Sequence, residues 1–391
     1  MSAVGTNTEA PVLFEEVVTA SGHRLGIATL NQPATLNGLS LPMVDLLAAK
    51  LDVWEADPAI AVVVLRGAGG KAFCAGGDLH SLYRSMREHP EAKSNPASNR
   101  YAFDFFSREY RLDYRIHAYP KPILCWGHGI VMGGGIGLMS GASHRVVTEA
   151  SRLAMPEIGI GLFPDVGGTW LLSRAPGASG KFLALTGANV GASDAIHAGF
   201  ADIAIAQENT EAVFAALASQ AWSGDAQSND ATLTRLLRGF ALPSLEAGPL
   251  QKFRTTIDAC CNAPSLEEAV AAIAASDVDD QWWQRAKATL AAGCPSSIRL
   301  SWELQRRASR LSLAEIFQLE FNVALHCAAH GDFAEGIRAL LIDKDKQPRW
   351  NPPTLAQADA ALADSFIAMD WPDGHPLADL GNDDPQREAL R

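Results

Sequence analysis

Three short apolar runs in this chain each lead into a cluster of glycines, and that repeated junction limits the folds open to it. Ile60–Leu65 enters Gly67-Ala-Gly-Gly-Lys-Ala-Phe-Cys-Ala-Gly-Gly-Asp78. Ile123–Trp126 enters Gly127-His-Gly-Ile-Val-Met-Gly-Gly-Gly-Ile-Gly137. Arg145–Thr148 is followed by Met155-Pro-Glu-Ile-Gly-Ile-Gly-Leu-Phe-Pro-Asp-Val-Gly-Gly168. Runs this rich in Val, Ile and Leu fit strands covered on both faces. Leu25–Leu30 reads as a further strand. Ser40–Ala56 reads as a helix, with Leu46, Leu47, Lys50, Leu51 and Trp54 at helical spacing, Ser40 as N-cap and Pro42 in the first turn. Strand, helix, strand, glycine loop, helix, strand, glycine turn, helix is an α/β order.

From about Glu208 the texture changes to Ala, Leu, Glu, Gln and Arg. Glu211–Ala221, Ser265–Ala275, Asp280–Ala292, Ser296–Arg310 and Leu313–Ala329 read as helices, and Ser265 with Glu268 fits a capping box. Ser223–Asp230 reads as a loop, and the tail after Pro372 reads as weakly ordered. No repeat stands out. With 391 residues, the chain has length for two domains at roughly 100–200 residues each. The expected division is residues 12–212 and 213–391, the second mainly helical.

Composition excludes several classes. The net charge of −12 disfavours a nucleic-acid partner, which needs a basic face. No run approaches the ~20 apolar residues of a membrane helix, so no membrane partner is expected. Met1–Pro11 has neither the basic and apolar regions of a secretory signal nor the arginines of a presequence. The expected location is cytoplasmic, or the mitochondrial matrix in a eukaryote. Cys74, Cys125, Cys260, Cys261, Cys294 and Cys327 lack paired spacing, so reduced thiols without a zinc site are expected.

The glycine segments stand out as candidates for carrying chemistry. Glycine lets a ligand approach the backbone, and two strand–glycine–helix turns can aim two N–H groups at one oxygen. A tight turn explains each cluster singly just as well. Neither of the first two is a P-loop, and the second lacks the acid of a dinucleotide fingerprint. The third supplies Glu157 and Asp165 among Ile158, Ile160, Leu162 and Phe163, where burial would suit a carboxyl to acid–base or nucleophilic work. Composition alone favours a cap or surface role for a lone glutamate. His128 and Cys74 lack triad partners and read as structural. Trp282, Trp283 and Trp302 read as core, and Lys344 with Lys346 as a small basic surface patch that could meet a phosphate.

Together these motifs carry a resemblance. Phe73-Cys-Ala-Gly-Gly-Asp78, Met132–Gly135 and Pro156-Glu157 resemble the crotonase superfamily of acyl-CoA enzymes. Ala154–Gly168, Phe182–Gly187, Gly331–Ala339, Leu341–Asp345 and Trp350 are similar to its 3-hydroxyisobutyryl-CoA hydrolase subgroup. The resemblance spans about Leu25 to Pro353. It implies a crotonase-like spiral of ββα units with a helical C-terminal region, the acyl-CoA site lying in residues 12–212. It places an oxyanion hole at the amides of Gly77 and Gly134, catalytic carboxylates at Glu157 and Asp165, and a substrate-site acid at Glu109. It implies no cofactor and no metal, coenzyme A being part of the substrate, and leaves homo-oligomer formation open.

The hydratases of this superfamily use two glutamates, and one of those positions is Gly137 here. The resemblance therefore implies thioester hydrolysis, with freed space at Gly137. Glu157 would attack the carbonyl or activate water. The alternatives are an enoyl-CoA hydratase or isomerase with Glu157 as single base, and a non-catalytic acyl-CoA binder. Phe163, Trp126 and Met132 are candidates for shaping the acyl pocket.

Overall fold

The computed structural model describes residues 10–382. Expectations about Met1–Glu9 and about residues 383–391 lie outside the described residues.

Among the described residues nine strands form two sheets. β1 (Val12–Val18), β2 (Arg24–Leu30), β3 (Ile60–Gly67), β5 (Ile123–Gly127), β7 (His144–Val147) and β9 (Ile203–Ala204) lie side by side in that order. β1 is antiparallel to β2 and every later pairing is parallel. β4 (Ala72–Cys74), β6 (Ile130–Met132) and β8 (Arg152–Ala154) form a small parallel sheet. β3, β5 and β7 are thus each followed by a three-residue strand of the second sheet and then by a turn or helix. That ββ-helix step repeats three times, the architecture the resemblance implies. It is hidden in the sequence because a three-residue strand shows almost no period.

The inner strands of the long sheet are buried on both faces, and alternation sorts most of their side chains. Ile60, Val63 and Leu65 of β3 enter the main core, whereas Ala61, Val62 and Val64 enter a second, smaller one. β5 does the same, with Ile123 and Cys125 on one side and Leu124 and Trp126 on the other.

Helices fill both faces. α1 (Leu41–Ala56) begins after Ser40, whose side chain makes no cap bond. The stretch between β4 and β5 holds two main helices, α2 (Leu79–Glu88) and α3 (Arg100–His117). α4 (Gly134–Ser140) follows β6, and α5 (Gly168–Ser173), α6 (Ser179–Thr186) and α7 (Ala192–His197) follow β8. α8 (Thr210–Ser219) runs through the division expected after residue 212. With α9 (Ala226–Arg238) it lays Val213, Leu217, Leu233 and Leu237 on the outer face of the long sheet. α9 also corrects the loop expected over 223–230. Asp225 caps it by accepting the Ser228 amide, and Asn229 turns inward to the Ser223 carbonyl.

α10 (Pro249–Lys252), α11 (Arg254–Cys261), α12 (Leu266–Ala275), α13 (Gln281–Ala292), α14 (Pro295–Ala308), α15 (Leu313–His330), α16 (Asp332–Ile337) and α17 (Ala360–Ile367) complete the chain. Ser265 caps α12 by accepting the Glu268 amide, but the reciprocal capping box is at Ser312–Glu315 of α15. Trp283 and Trp302 are core residues and Trp282 packs partly buried against them. The stretch just after Pro372 is anchored, not loose. Leu377 is fully buried, and Arg111 holds both the Asp379 carboxylate and the Pro376 carbonyl. Among the described residues no helix is long and apolar enough to cross a membrane, no group of three or more His, Cys, Asp or Glu is placed to hold a metal, and all six cysteines are free and buried.

A tight junction seats α4 against β4 of the small sheet. A Cβ at Gly135 would lie 2.2 Å from the Cys74 carbonyl oxygen, so only glycine lets α4 seat against β4. Gly135→Ala should destabilise the protein by about 1–3 kcal/mol, read as a lower urea midpoint with an unchanged slope.

Candidate active site

Two amides and five carboxyl groups converge where β4, β6 and β8 end. Gly77 follows β4, and Asp78 beside it caps α2 by accepting the amides of His80 and Ser81. Gly134 opens α4 after a sharp turn at Gly133, whose φ of 49° is left-handed. Neither the Gly77 nor the Gly134 amide makes a hydrogen bond to any described residue. They face a common space, for a Cβ at Gly134 would lie 3.6 Å from the Gly77 nitrogen.

Two glutamates flank these amides. Glu157 sits in the short turn after β8 and is 4% exposed. Its Oε1 would be 3.0 Å from a Cβ at Gly133, and its Oε2 has no partner. Glu109, on α3, is 2% exposed. Its Oε1 would be 2.6 Å from a Cβ at Gly134 and is likewise unpartnered. Burial first, and the Asp165 charge second, push both carboxyls well above the ordinary range.

Asp165 lies in a strained turn. Val166 has φ 53° and Gly167 φ 78°, and a left-handed β-branched residue persists only if its surroundings impose it. Here the surroundings are Glu320 of α15. Its two carboxylate oxygens accept the Gly167 amide at 2.7 Å and the Thr169 amide at 2.9 Å. The Tyr110 hydroxyl donates to Asp165 Oδ2 at 2.8 Å. Burial pushes Asp165 up to about 7 despite that bond, and burial followed by the Asp165 charge pushes Glu320 up to about 8.

The structure thus brings Gly77, Gly134, Glu109, Glu157 and Asp165 to one place. It adds three residues that the sequence reading did not single out: Tyr110, Asp113 and Glu320. Tyr110 and Asp113 share α3 with Glu109, so the helical spacing of two acids was a usable signal. For Glu320 the only signal was an acid inside an apolar stretch of α15.

Two expectations need correction, and the residues read as structural or surface ones lie as expected. The space at Gly137 is not free. A Cβ there would lie 2.7 Å from Asp113 Oδ2 and 2.8 Å from Val166 Cβ, because α3 and the strained turn both press into it. Trp126 lines no acyl pocket: it faces the smaller core and meets Phe214 edge-on at 5.8 Å. His128 is buried with Nε2 on the Gly69 carbonyl, and Cys74 is a buried thiol that desolvation raises to about 12. Lys344 and Lys346 are exposed, in left-handed backbone.

Residues 25–367 match the enoyl-CoA hydratase/isomerase family model. The chain belongs to the enoyl-CoA hydratase/isomerase, or crotonase, family. Membership makes it an enzyme of the hydratase/hydrolase class that acts on coenzyme A thioesters. It is 37% identical to the zebrafish protein named 3-hydroxyisobutyryl-CoA hydrolase, mitochondrial, over 92% of this chain and 90% of that one. It is 34% identical to the human protein of that name over 88% and 86%. Two solved structures share the crotonase fold at comparable identity. One is a carnitinyl-CoA dehydratase from Mycobacterium thermoresistibile, with TM-score 0.82, 35% identity, and 93% and 98% coverage. The other is an enoyl-CoA hydratase from Rhodobacter sphaeroides 2.4.1, with TM-score 0.78, 36% identity, and 92% and 97% coverage.

The carboxyl cluster has a consequence for stability. Asp165 and Glu320 have folded values, about 7 and about 8, above their ordinary values of 3.8 and 4.5. The folded protein therefore keeps protons that the unfolded chain has released. Their stabilising effect is complete below pH about 4 and is lost as pH rises through about 7 to 8. Unfolding midpoints should fall over that interval, and Glu320→Gln should show a shallower fall.

Proposed function

We propose that this enzyme hydrolyses a short, branched β-hydroxyacyl-CoA thioester, with 3-hydroxyisobutyryl-CoA as the substrate, giving 3-hydroxyisobutyrate and free coenzyme A. The observation that carries the reading is the meeting of two unbonded amides, Gly77 and Gly134, with the buried Glu157 beside Gly133. The thioester oxygen is held between the two amides, which donate to it as it gains charge. One such donor is worth about 2.7–4 kcal/mol in related chemistry. As a nucleophile, Glu157 adds to the carbonyl carbon and forms a mixed anhydride, which water then hydrolyses to release the acid and free Glu157. As a base, it takes a proton from water whose oxygen adds to the carbonyl carbon. In either case the C–S bond breaks and the thiolate takes up a proton.

Asp165 acts through its charge and its position. Tyr110 fixes one oxygen, and the buried charge keeps Glu157 basic. A base with a raised value is well matched to neutral pH. The acyl group is taken from the names of the curated relatives and from the Glu157–Asp165 segment.

A second reading is hydration of an enoyl-CoA. It is favoured by the names of the two solved structures and by the acid from α3 that stands against Gly137.

Thiol release from 3-hydroxyisobutyryl-CoA, read beside enoyl loss from crotonyl-CoA, separates the two. Rapid thiol release supports hydrolysis; enoyl loss without thiol release moves the protein to the hydratases. Glu157→Gln should lower kcat by about 10²–10⁴-fold. Gly134→Val, whose Cβ meets Glu109, should abolish turnover while the unfolding transition stays cooperative. The acid limb of kcat/KM should lie well above pH 4.5, because burial holds the Glu157 proton.

A further inference from the structure

The turn that bears Glu157 is gripped on two flanks by elements from the far half of the chain. On one flank lies α16. A Cβ at Gly161 would be 2.4 Å from the Asp332 carbonyl oxygen, and a Cβ at Gly336 would be 2.4 Å from the Ile160 carbonyl oxygen. At both points backbone meets backbone, with no room for a side chain. On the other flank, the Cys294 amide at the start of α14 donates to the Ile158 carbonyl at 2.8 Å.

The side chain of Asp332 joins the two flanks. It is buried, and both of its oxygens are in use. Oδ2 accepts the Cys294 thiol at 3.3 Å and the Ser296 hydroxyl at 3.2 Å, and Oδ1 accepts the Asn351 amide at 2.8 Å. His330 Nδ1 stands farther off, at 3.6 Å from Oδ2. Burial first, and the Asp332 charge second, push the Cys294 thiol up to about 12, so it keeps the proton that it donates. These contacts close a ring. It runs from Ile158 to Cys294, from Cys294 to Asp332, from Asp332 to Gly161, and back along the chain to Ile158. Glu157 is the next residue, and the turn inside the ring carries its carboxyl. A misplacement of about 1 Å at a reacting group lowers a rate by as much as ~10²-fold.

We propose that Asp332 is a positioning residue for the reaction: by bonding the start of α14 to α16, it fixes the turn on which Glu157 stands and holds the Glu157 carboxyl beside the two open amides. Asp332 acts through Glu157 and not on the substrate. The proposal rests on the reading that Glu157 is the group that acts on the thioester.

The test compares thiol release from 3-hydroxyisobutyryl-CoA by wild type, D332A, E157Q and D332A/E157Q, each shown to be folded by its unfolding transition. D332A should lower kcat by about 10–100-fold and leave KM unchanged, since the loss is one of alignment and not of binding. In the E157Q background the same substitution should leave the residual kcat unchanged, because the group it positions is already gone. A role in packing alone would lower kcat by one factor in both backgrounds. Should D332A fail to fold, C294A/S296A removes both links to α14, leaves the Asn351 bond, and should show the same pattern.

Equal losses in the two backgrounds, or full kcat in a folded variant that lacks the links, would overturn the proposal and leave the reading of Glu157 intact. Absence of thiol release by wild type, or undiminished release by E157Q, would overturn that reading and the proposal with it.

Discussion

The two hydrogen bonds that Glu320 accepts from Gly167 and Thr169 hold the site together. They cross 153 and 151 residues of sequence and join the helical C-terminal part to the turn that carries Asp165. A turn with Val166 and Gly167 both left-handed would relax if its amides were free. Relaxation would withdraw Val166 from Gly137 and Asp165 from Tyr110. The helices after residue 213 are therefore part of the site's scaffold, because one of them supplies the acceptor that the strained turn needs.

The second organising fact is that α3 separates charge by face. Glu109 and Asp113 point inward, while Arg108, Arg111 and Arg115 line the opposite side with Asp45, Asp52 and Glu55 of α1 and with Asp379. Each of those arginines is already paired and partly in solvent, where its field is screened. They leave the inner acids uncompensated. The protonation of the site is thus set from within, by carboxyls acting on one another in a dry space, and the acidic surface has little influence on it. A cluster of buried acids with unpartnered oxygens costs stability. Such a cost at one place is what a site tuned for proton chemistry requires.

Legibility in the sequence followed the length over which a physical signal repeats. β2, β3 and β5 were readable because an unbroken apolar run leaves few alternatives. β4, β6 and β8 were not, since three residues carry no period, and with them went the internal repeat. α9 hid behind Gln227, Ser228, Asn229 and Asp230, a polar run that tertiary contacts make helical. At the site, the glycines and the Glu157–Asp165 segment lie close in sequence and were visible as motifs. Glu109 came from the resemblance alone. Asp113 and Glu320 are marked only weakly, by helical spacing from Glu109 and by an acid within an apolar stretch, because the packing of α3 and α15 fixes what they touch. The space expected at Gly137 failed for the same reason: a missing side chain in one element says nothing about what a neighbouring helix puts there.

The anchored segment at residues 375–379 carries a different kind of meaning. His375 reaches the Gln318 carbonyl, Gln318 reaches the Leu377 carbonyl, and Arg111 clasps Asp379. These bonds grip α15 and α3, the helices that bear Glu320 on one hand and Glu109 with Asp113 on the other. The last described stretch of chain therefore works as a latch across the two walls of the reaction chamber. Replacing the segment from His375 to Asp379 would touch none of the amides or acids of the site, yet it would unfasten both walls at once. A stretch more than 200 residues beyond Glu157 and Asp165 in sequence is mechanically next door to the chemistry.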